Sequence, residues 1–276
     1  MRIVSKILTT LLIGMTACNS VNKKSEQATS VDSYQTKADS SLPKTIVYHE
    51  PTPEEQKAFR EEEISDSLIE LKTLNIALSI AEKNKSKRDF TFHTDSFDIH
   101  SGYIFSTSIK HLLINRHSQR VAFSDIYKLQ DNVFIKVCSK EMAPLAYIDD
   151  TIQDVNGDNR LDYLFHWYPM SGCCTRDIYN VFLQKQNGNF SDEFEFINPT
   201  FSAKEKIIRG MCYGWPALLY KYKWNNYAVD TIEYIYFPDS TNGNHCLRRK
   251  HKDENEKGEI LKSLPDEYKK IGYGYD

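Results

Sequence analysis

Apolar residues recur at steps of three to five from Phe59 through Ile64, Leu68, Leu71, Leu74, Leu78 and Ala81. That spacing predicts an α-helix with one apolar face. Thr52, Pro53 and Glu55 mark its start as an N-cap residue, a first-turn proline and a capping-box acid. Its charges run from "REEE" near the beginning to "KNKSKR" at the end, the sense that suits the helix dipole. The amphipathic segment spans residues 51–88. Continuous to about Asn84, the helix is about 48 Å long, and "SDS" at 65–67 is the place for a break. A stalk or a partner-binding helix is one use of such a segment. The expectation is the ordinary one, that its apolar face packs on the domain that follows.

From Phe90 the period shortens. "FTFHT", "SGYIFSTS", "HLLINR", "RVAFSDIYKL" and "NVFIKVCS" are short, rich in β-branched and aromatic residues, and separated by polar turns such as "HSQ" and "LQDN". Asn187-Gly188 sits between two further apolar segments as a tight hairpin turn, and Asn225-Asn226 marks another. These elements predict a mainly β domain over residues 90–245, an antiparallel sandwich or partly open barrel. The run "RRKHKDENEKGE" mixes both signs, and residues 246–276 read as a charged, solvated C-terminal tail.

Before the helix the chain has a different character. Arg2 and Lys6 precede the apolar run "ILTTLLIGM", which ends in small residues at Cys18. This is the layout of a secretory signal at residues 1–17, too short to span a bilayer as a stable helix. "MTAC" at 15–18 resembles a bacterial lipobox, which implies that Cys18 is acylated and that the protein is lipid-anchored in the bacterial cell envelope. Residues 18–50 carry almost nothing to bury and read as a disordered tether. As a flexible coil, the 31 residues from Asn19 to His49 span about 30 Å. A formal net charge of -3 gives no basis for nucleic-acid binding.

The densest chemistry lies in "DVNGDNRLD", Asp154 to Asp162. Oxygen donors at positions 1, 3, 5 and 9 fall on Asp154, Asn156, Asp158 and Asp162, and the position-7 carbonyl belongs to Arg160. Hard cations such as calcium favour oxygen cages of this kind. Asn159 stands at position 6, where a sharp turn needs a residue able to enter the left-handed region. An EF-hand carries Glu at position 12, where this chain has Phe165. The loop resembles the calcium loops of FG-GAP or VCBS-type β repeats, with Asn159 in place of their usual glycine. It does not recur in the chain, which argues against a complete multi-blade propeller. The alternative is an Asx-rich turn without metal. A fourth acidic or amide side chain at Asp162 is more than a turn needs, so calcium is the expected cofactor, as a structural staple.

Five cysteines follow Cys18: Cys138, Cys173, Cys174, Cys212 and Cys246. In an exported chain they are disulfide candidates, although five is odd and their pairing cannot be read from the sequence. Asp149, Asp150 and His166 are the one set suited to acid-base hydrolysis, yet adjacent strand residues point to opposite faces. The aromatic residues His166, Trp167, Tyr168, Trp215, Tyr222 and Trp224 offer glycan stacking or, more simply, core packing.

Lipobox, tether, β domain, calcium loop and cysteines together resemble FG-GAP-related lipoproteins of Gram-negative bacteria. More remotely they resemble calcium-binding periplasmic lipoproteins that inhibit lysozyme-like peptidoglycan hydrolases. That resemblance implies a non-enzymatic module that binds a protein in the envelope, as an inhibitor or immunity protein, through an exposed Ser-Gly loop. Ser171 and Gly172 are the partner-binding candidates here. The competing expectations are a cell-surface hydrolase using Asp149, Asp150 and His166, and a glycan-binding or adhesion module.

Overall fold

The computed structural model describes residues 50–118, 121–169, 177–212, 218–237, 245–252, 255–269 and 271. The predicted helix forms as one piece, α1, Pro53–Lys83, with no break at 65–67. Its capping box is complete: Thr52 Oγ1 accepts from the Glu55 amide at 3.2 Å, and Glu55 Oε2 accepts from the Thr52 amide at 2.7 Å. At the other end Asn84 donates to the Ile80 carbonyl, and the Lys110 ammonium donates to the Lys85 and Lys87 carbonyls just beyond the helix. Among the described residues no helix is long and apolar enough to cross a membrane.

The rest is mainly β, arranged in three antiparallel sheets, each a simple meander in which sequence neighbours pair. The first sheet contains β1 Phe90–His93, β2 Phe97–Gly102, β3 His111–His117, β4 Ala122–Gln130 and β5 Val133–Met142. The second contains β6 Tyr147–Gln153, β7 Asp162–Trp167, β8 Ile178–Phe182 and β9 Phe194–Ile197. The third contains β10 Pro199–Ser202, β11 Ile207–Cys212, β12 Leu218–Asn225, β13 Ala228–Tyr236, β14 Cys246–Arg249 and β15 Glu259–Leu261. None closes into a barrel. The "LQDN" turn forms between β4 and β5, with positive φ at both Asp131 and Asn132, as a two-residue hairpin of matching twist requires.

The sheets stack as layers. Leu113, Ile126 and Cys138 of the first sheet meet Tyr163, Phe165 and Phe182 of the second in one core. On its opposite face the second sheet sends Leu164, Val181 and Phe196 against Ile208, Tyr220 and Trp224 of the third. The middle sheet is therefore buried on both sides along β7 and β8, which is why "YLF" in β7 is apolar at consecutive positions and not in alternation, while β6 at its edge stays largely exposed. The outer face of the first sheet is covered by α1, where Ala77 and Ala81 lie against Ile99, Leu112 and Ile114. The outer face of the third is covered by the C-terminal segment, through Tyr268 and Ile271.

Two expectations change. Residues 246–276 include more than a solvated tail, since β14 and β15 extend the third sheet. Their charges are cross-strand partners: Arg248 pairs with Glu233 at 2.9 Å and with Glu259 at 3.0 Å. The apolar face of α1 packs as expected only in its C-terminal part, through Leu74, Leu78 and Ala81, while Phe59, Ile64, Leu68 and Leu71 stay exposed. Ala77 and Ala81 are its buried residues, flanked by Leu74, Leu78 and Ile80. Further along the same side Glu70 meets Arg116, which reaches the fully buried Asp125 at 2.8 Å; Lys136 and Ser139 complete the shell of that carboxylate. Every residue from Pro53 to Ser65 is exposed.

The Asn187-Gly188 turn docks the second sheet onto the first. Gly188 has φ +78°, and a Cβ there would lie 3.0 Å from the Ile109 side chain. The ring of His111, buried, places its two nitrogens 3.1 Å from the Ile109 and Gly188 carbonyl oxygens. Burial pushes this imidazole below its ordinary value; the two carbonyls oppose the shift and Lys128 adds to it. Folding thus disfavours the protonated ring. Its contribution to stability is present above the unfolded-state value of about 6.5 and is lost as pH falls through the lower folded-state value. Thermal melts are expected to show a falling midpoint from about pH 7 to about pH 5, with a shallower fall in His111→Gln, whose amide still donates to a carbonyl. Equal slopes in the two proteins would remove His111 as the cause.

Candidate metal centre

Residues 154–161 carry the chain from β6 into β7 and fold on their own side chains. Asp154 accepts from the Gly157 amide at 2.7 Å and from the Asn159 amide at 2.9 Å. Asn156 Oδ1 accepts from the Asp158 amide at 3.1 Å, and Asp158 Oδ1 from the Arg160 amide at 2.9 Å. The other Asp158 oxygen receives Asn156 Nδ2 at 3.0 Å and the Arg160 guanidinium. Two residues make the turn sharp enough. Asn159 has φ 64°, as its place in the pattern predicted, and Gly157 has φ +71°. Gly157 is also required for space, because a Cβ there would stand 2.1 Å from the Ala203 carbonyl oxygen. The loop thereby presses on the turn between β10 and β11 and couples the second sheet to the third.

Asp162 is the pivot. As the first residue of β7 it is fully buried, with Oδ2 accepting from the Val155 amide at 3.1 Å and Oδ1 from the Gln184 amide at 2.9 Å. It ties the loop to the strand on one side and to the end of β8 on the other. Burial pushes its carboxyl up to about 7, with Asp158 and Asp154 adding to the rise and the two amides holding it back. A cavity of ≈ 70 Å³ beside the loop is lined by Asn156, Asp158, Arg160, Lys206 and Trp224 among others. It is large enough for a water molecule or an ion.

Whether these residues suit calcium is decided by donor chemistry and charge. Asp154, Asn156, Asp158, the Arg160 carbonyl and Asp162 offer oxygen only, the preference of a hard cation. The rise at Asp162 comes first from its burial, with Asp158 and Asp154 adding to it. The carboxylates are nevertheless closed on the loop's own amides, and among the described residues no group of three His, Cys, Asp or Glu side chains stands as a metal cage. In this closed form the Arg160 guanidinium takes the place of a cation at Asp158. The residues fit the ion in kind, with Arg160 as its competitor.

Of the alternative hydrolytic set, Asp149 and His166 meet and Asp150 lies apart from them. Asp149 pairs in register with His166 and Asp150 with Phe165, so the two acids lie on opposite faces of the second sheet. Asp150 turns toward the first sheet, where it accepts from Asn115 at 3.0 Å and from Tyr163 at 3.1 Å. His166 lies on the other face, stacked on Tyr179 at 4.2 Å, with Nδ1 3.0 Å from Asp149 and Nε2 3.1 Å from Asp177. Both ring nitrogens face carboxylates, Asp149 from the neighbouring strand and Asp177 from the segment that leads into β8. Asp177 was missed in the sequence, where nothing connects it with His166; only the β7–β8 pairing does.

The remaining expectations divide in the same way. Cys138 lies in the core between the first and second sheets, Cys212 packs against the core on the inner face of the third, and Cys246 belongs to the core on its outer face. Among the described residues none of the three is bonded to another, since they belong to three different cores. Burial, then Asp125 and Glu193, push the Cys138 thiol up to about 12, so it is no nucleophile. Trp224 is core, and Tyr222 packs against it. Cys18, Ser171, Gly172, Cys173, Cys174 and Trp215 lie outside the described residues. No protein-family model, no curated protein and no solved structure matches the chain.

Proposed function

We propose that the chain is a lipid-anchored protein of the bacterial cell envelope, stabilised by calcium in its 154–162 loop, that acts by binding another protein and not by turning over a substrate. The observation that carries the reading is the buried Asp162 carboxyl, raised by its burial and by Asp158 and Asp154, in the loop that couples the second and third sheets. A bound calcium ion supplies the positive charge that this crowding calls for. Asp154, Asn156, Asp158, the Arg160 carbonyl and Asp162 hold it, and the Arg160 side chain yields its place at Asp158. The ion is a staple. Binding over catalysis is supported by the separation of Asp150 from Asp149 and His166. The partner class, a lysozyme-like peptidoglycan hydrolase met at Ser171 and Gly172, rests on the sequence resemblance, as does the anchor at Cys18.

Three measurements test this. In melts of the whole protein, saturating calcium is expected to add on the order of 3 kcal/mol at about a hundredfold excess over its dissociation constant, a rise of about 5–10 °C. Chelator removes the rise, and Asp158→Ala melts at one temperature with or without calcium. A calcium response retained in that variant would defeat the metal assignment. A palmitate analogue is expected to label the wild type and not Cys18→Ser, and equal labelling would remove the anchor. Finally, a screen against peptidoglycan, esters, phosphoesters and glycosides is expected to show no turnover, while lysozyme-type hydrolases are inhibited. Turnover abolished by His166→Ala or Asp149→Asn would replace binding with catalysis.

A further inference from the structure

α1 is held at one end only. Its packed side, Glu70, Ala77 and Ala81 with their flanking leucines, lies on the first sheet. Large apolar residues stand exposed on its other sides: Ile64 at 62 %, Leu68 at 61 %, Leu71 at 54 % and Ile76 at 46 %. Leu68, Leu71 and Ile76 line a shallow groove with Lys72, Ser79 and Lys83 along the outward face. Apolar side chains of this size gain by leaving water, so a continuous exposed row marks an interaction surface and not scattered surface residues.

Charge selects the occupant. From Pro53 to Glu70 the sequence has seven acidic residues and two basic ones, and from Leu71 to Arg88 it has five basic and one acidic. An antiparallel copy of the same helix sets each half against its opposite, while a parallel copy sets like against like. Two other occupants fit less well. Between Cys18 and Glu50 the chain's aliphatic residues larger than alanine and other than proline are Val21, Val31, Leu42, Ile46 and Val47, too scattered to cover the row. An anionic lipid surface repels the acidic half.

We infer that two copies of this chain associate through the outward faces of their α1 helices, antiparallel about a two-fold axis near Leu71. A two-fold contact uses the same patch on both copies, so residues equally far on either side of the axis meet. Ile64 of one copy then lies by the turn that holds Leu78 in the other, and Glu61 by the turn that holds Lys83. Leu68 and Leu71 form the centre. The packed side of α1 is untouched, so the fold within each copy does not depend on the pairing.

The test uses the full chain in mild detergent. Light scattering is expected to show monomer passing to dimer in the micromolar range, with the dimer weakened by salt as its charge pairing requires. Leu68→Glu with Leu71→Glu is expected to leave a monomer of unchanged helical circular dichroism, because both side chains are exposed. Under mild oxidation Leu71→Cys is expected to give a cross-linked dimer absent from wild type, and Phe59→Cys, more than three helical turns from the axis, is not. A chain that stays monomeric throughout, or a dimer indifferent to the double charge substitution, would overturn the inference. Cross-linking of Phe59→Cys as readily as Leu71→Cys would overturn the antiparallel arrangement and with it the charge argument.

Discussion

Burial of β7 and β8 of the second sheet on both of their faces is the constraint on which the other features depend. β7 supplies Tyr163 and Phe165 to one core and Leu164 to the other, so a shift of one residue in its pairing would exchange every side chain between the two cores. The loop ahead of it and the histidine near its end inherit their positions from that register. Asp162 is fully buried because it opens a strand with no exposed face, and His166 meets Asp177 because β8 pairs beside it.

Two fully buried aspartates show how differently a charge can be accommodated. Asp125, beneath α1, has Arg116 at 2.8 Å, Lys136 at 2.7 Å and the Ser139 hydroxyl at 2.6 Å. Its charge is matched by cations from neighbouring strands. Asp162 has two backbone amides and two acidic neighbours, and the nearby guanidinium is engaged with Asp158. Amides supply partial charges and not a full one, so the Asp162 carboxyl is pushed upward by its burial.

The helix joins the fold through two kinds of contact with different reach. Ala77 and Ala81 are small enough to let its backbone approach the sheet, which anchors the C-terminal part. Toward the middle Glu70 accepts from Arg116 with both its carboxylate and its backbone carbonyl. Residues before that tie contribute an acidic, partly apolar rod that the first sheet does not cover. The periodicity that predicts the helix is therefore a record of two surfaces, one internal and one external.

The sequence by itself determined the elements and the loop. The capping box, the 3.6-residue period, the "LQDN" turn and the left-handed position at Asn159 are local properties, fixed by neighbours a few residues apart. The same locality made "DVNGDNRLD" legible as an oxygen-rich turn. What only the tertiary structure decided is which faces meet. Three stacked sheets, β14 and β15 in a charged segment, Ala77 and Ala81 instead of Leu68 and Leu71 as the packed side of α1, and Asp177 beside His166 all depend on residues far apart in the chain. Alternation along a strand states that a face is apolar, and a continuous run states that both are; neither states which partner covers them, because burial is non-directional and is satisfied by any complementary surface.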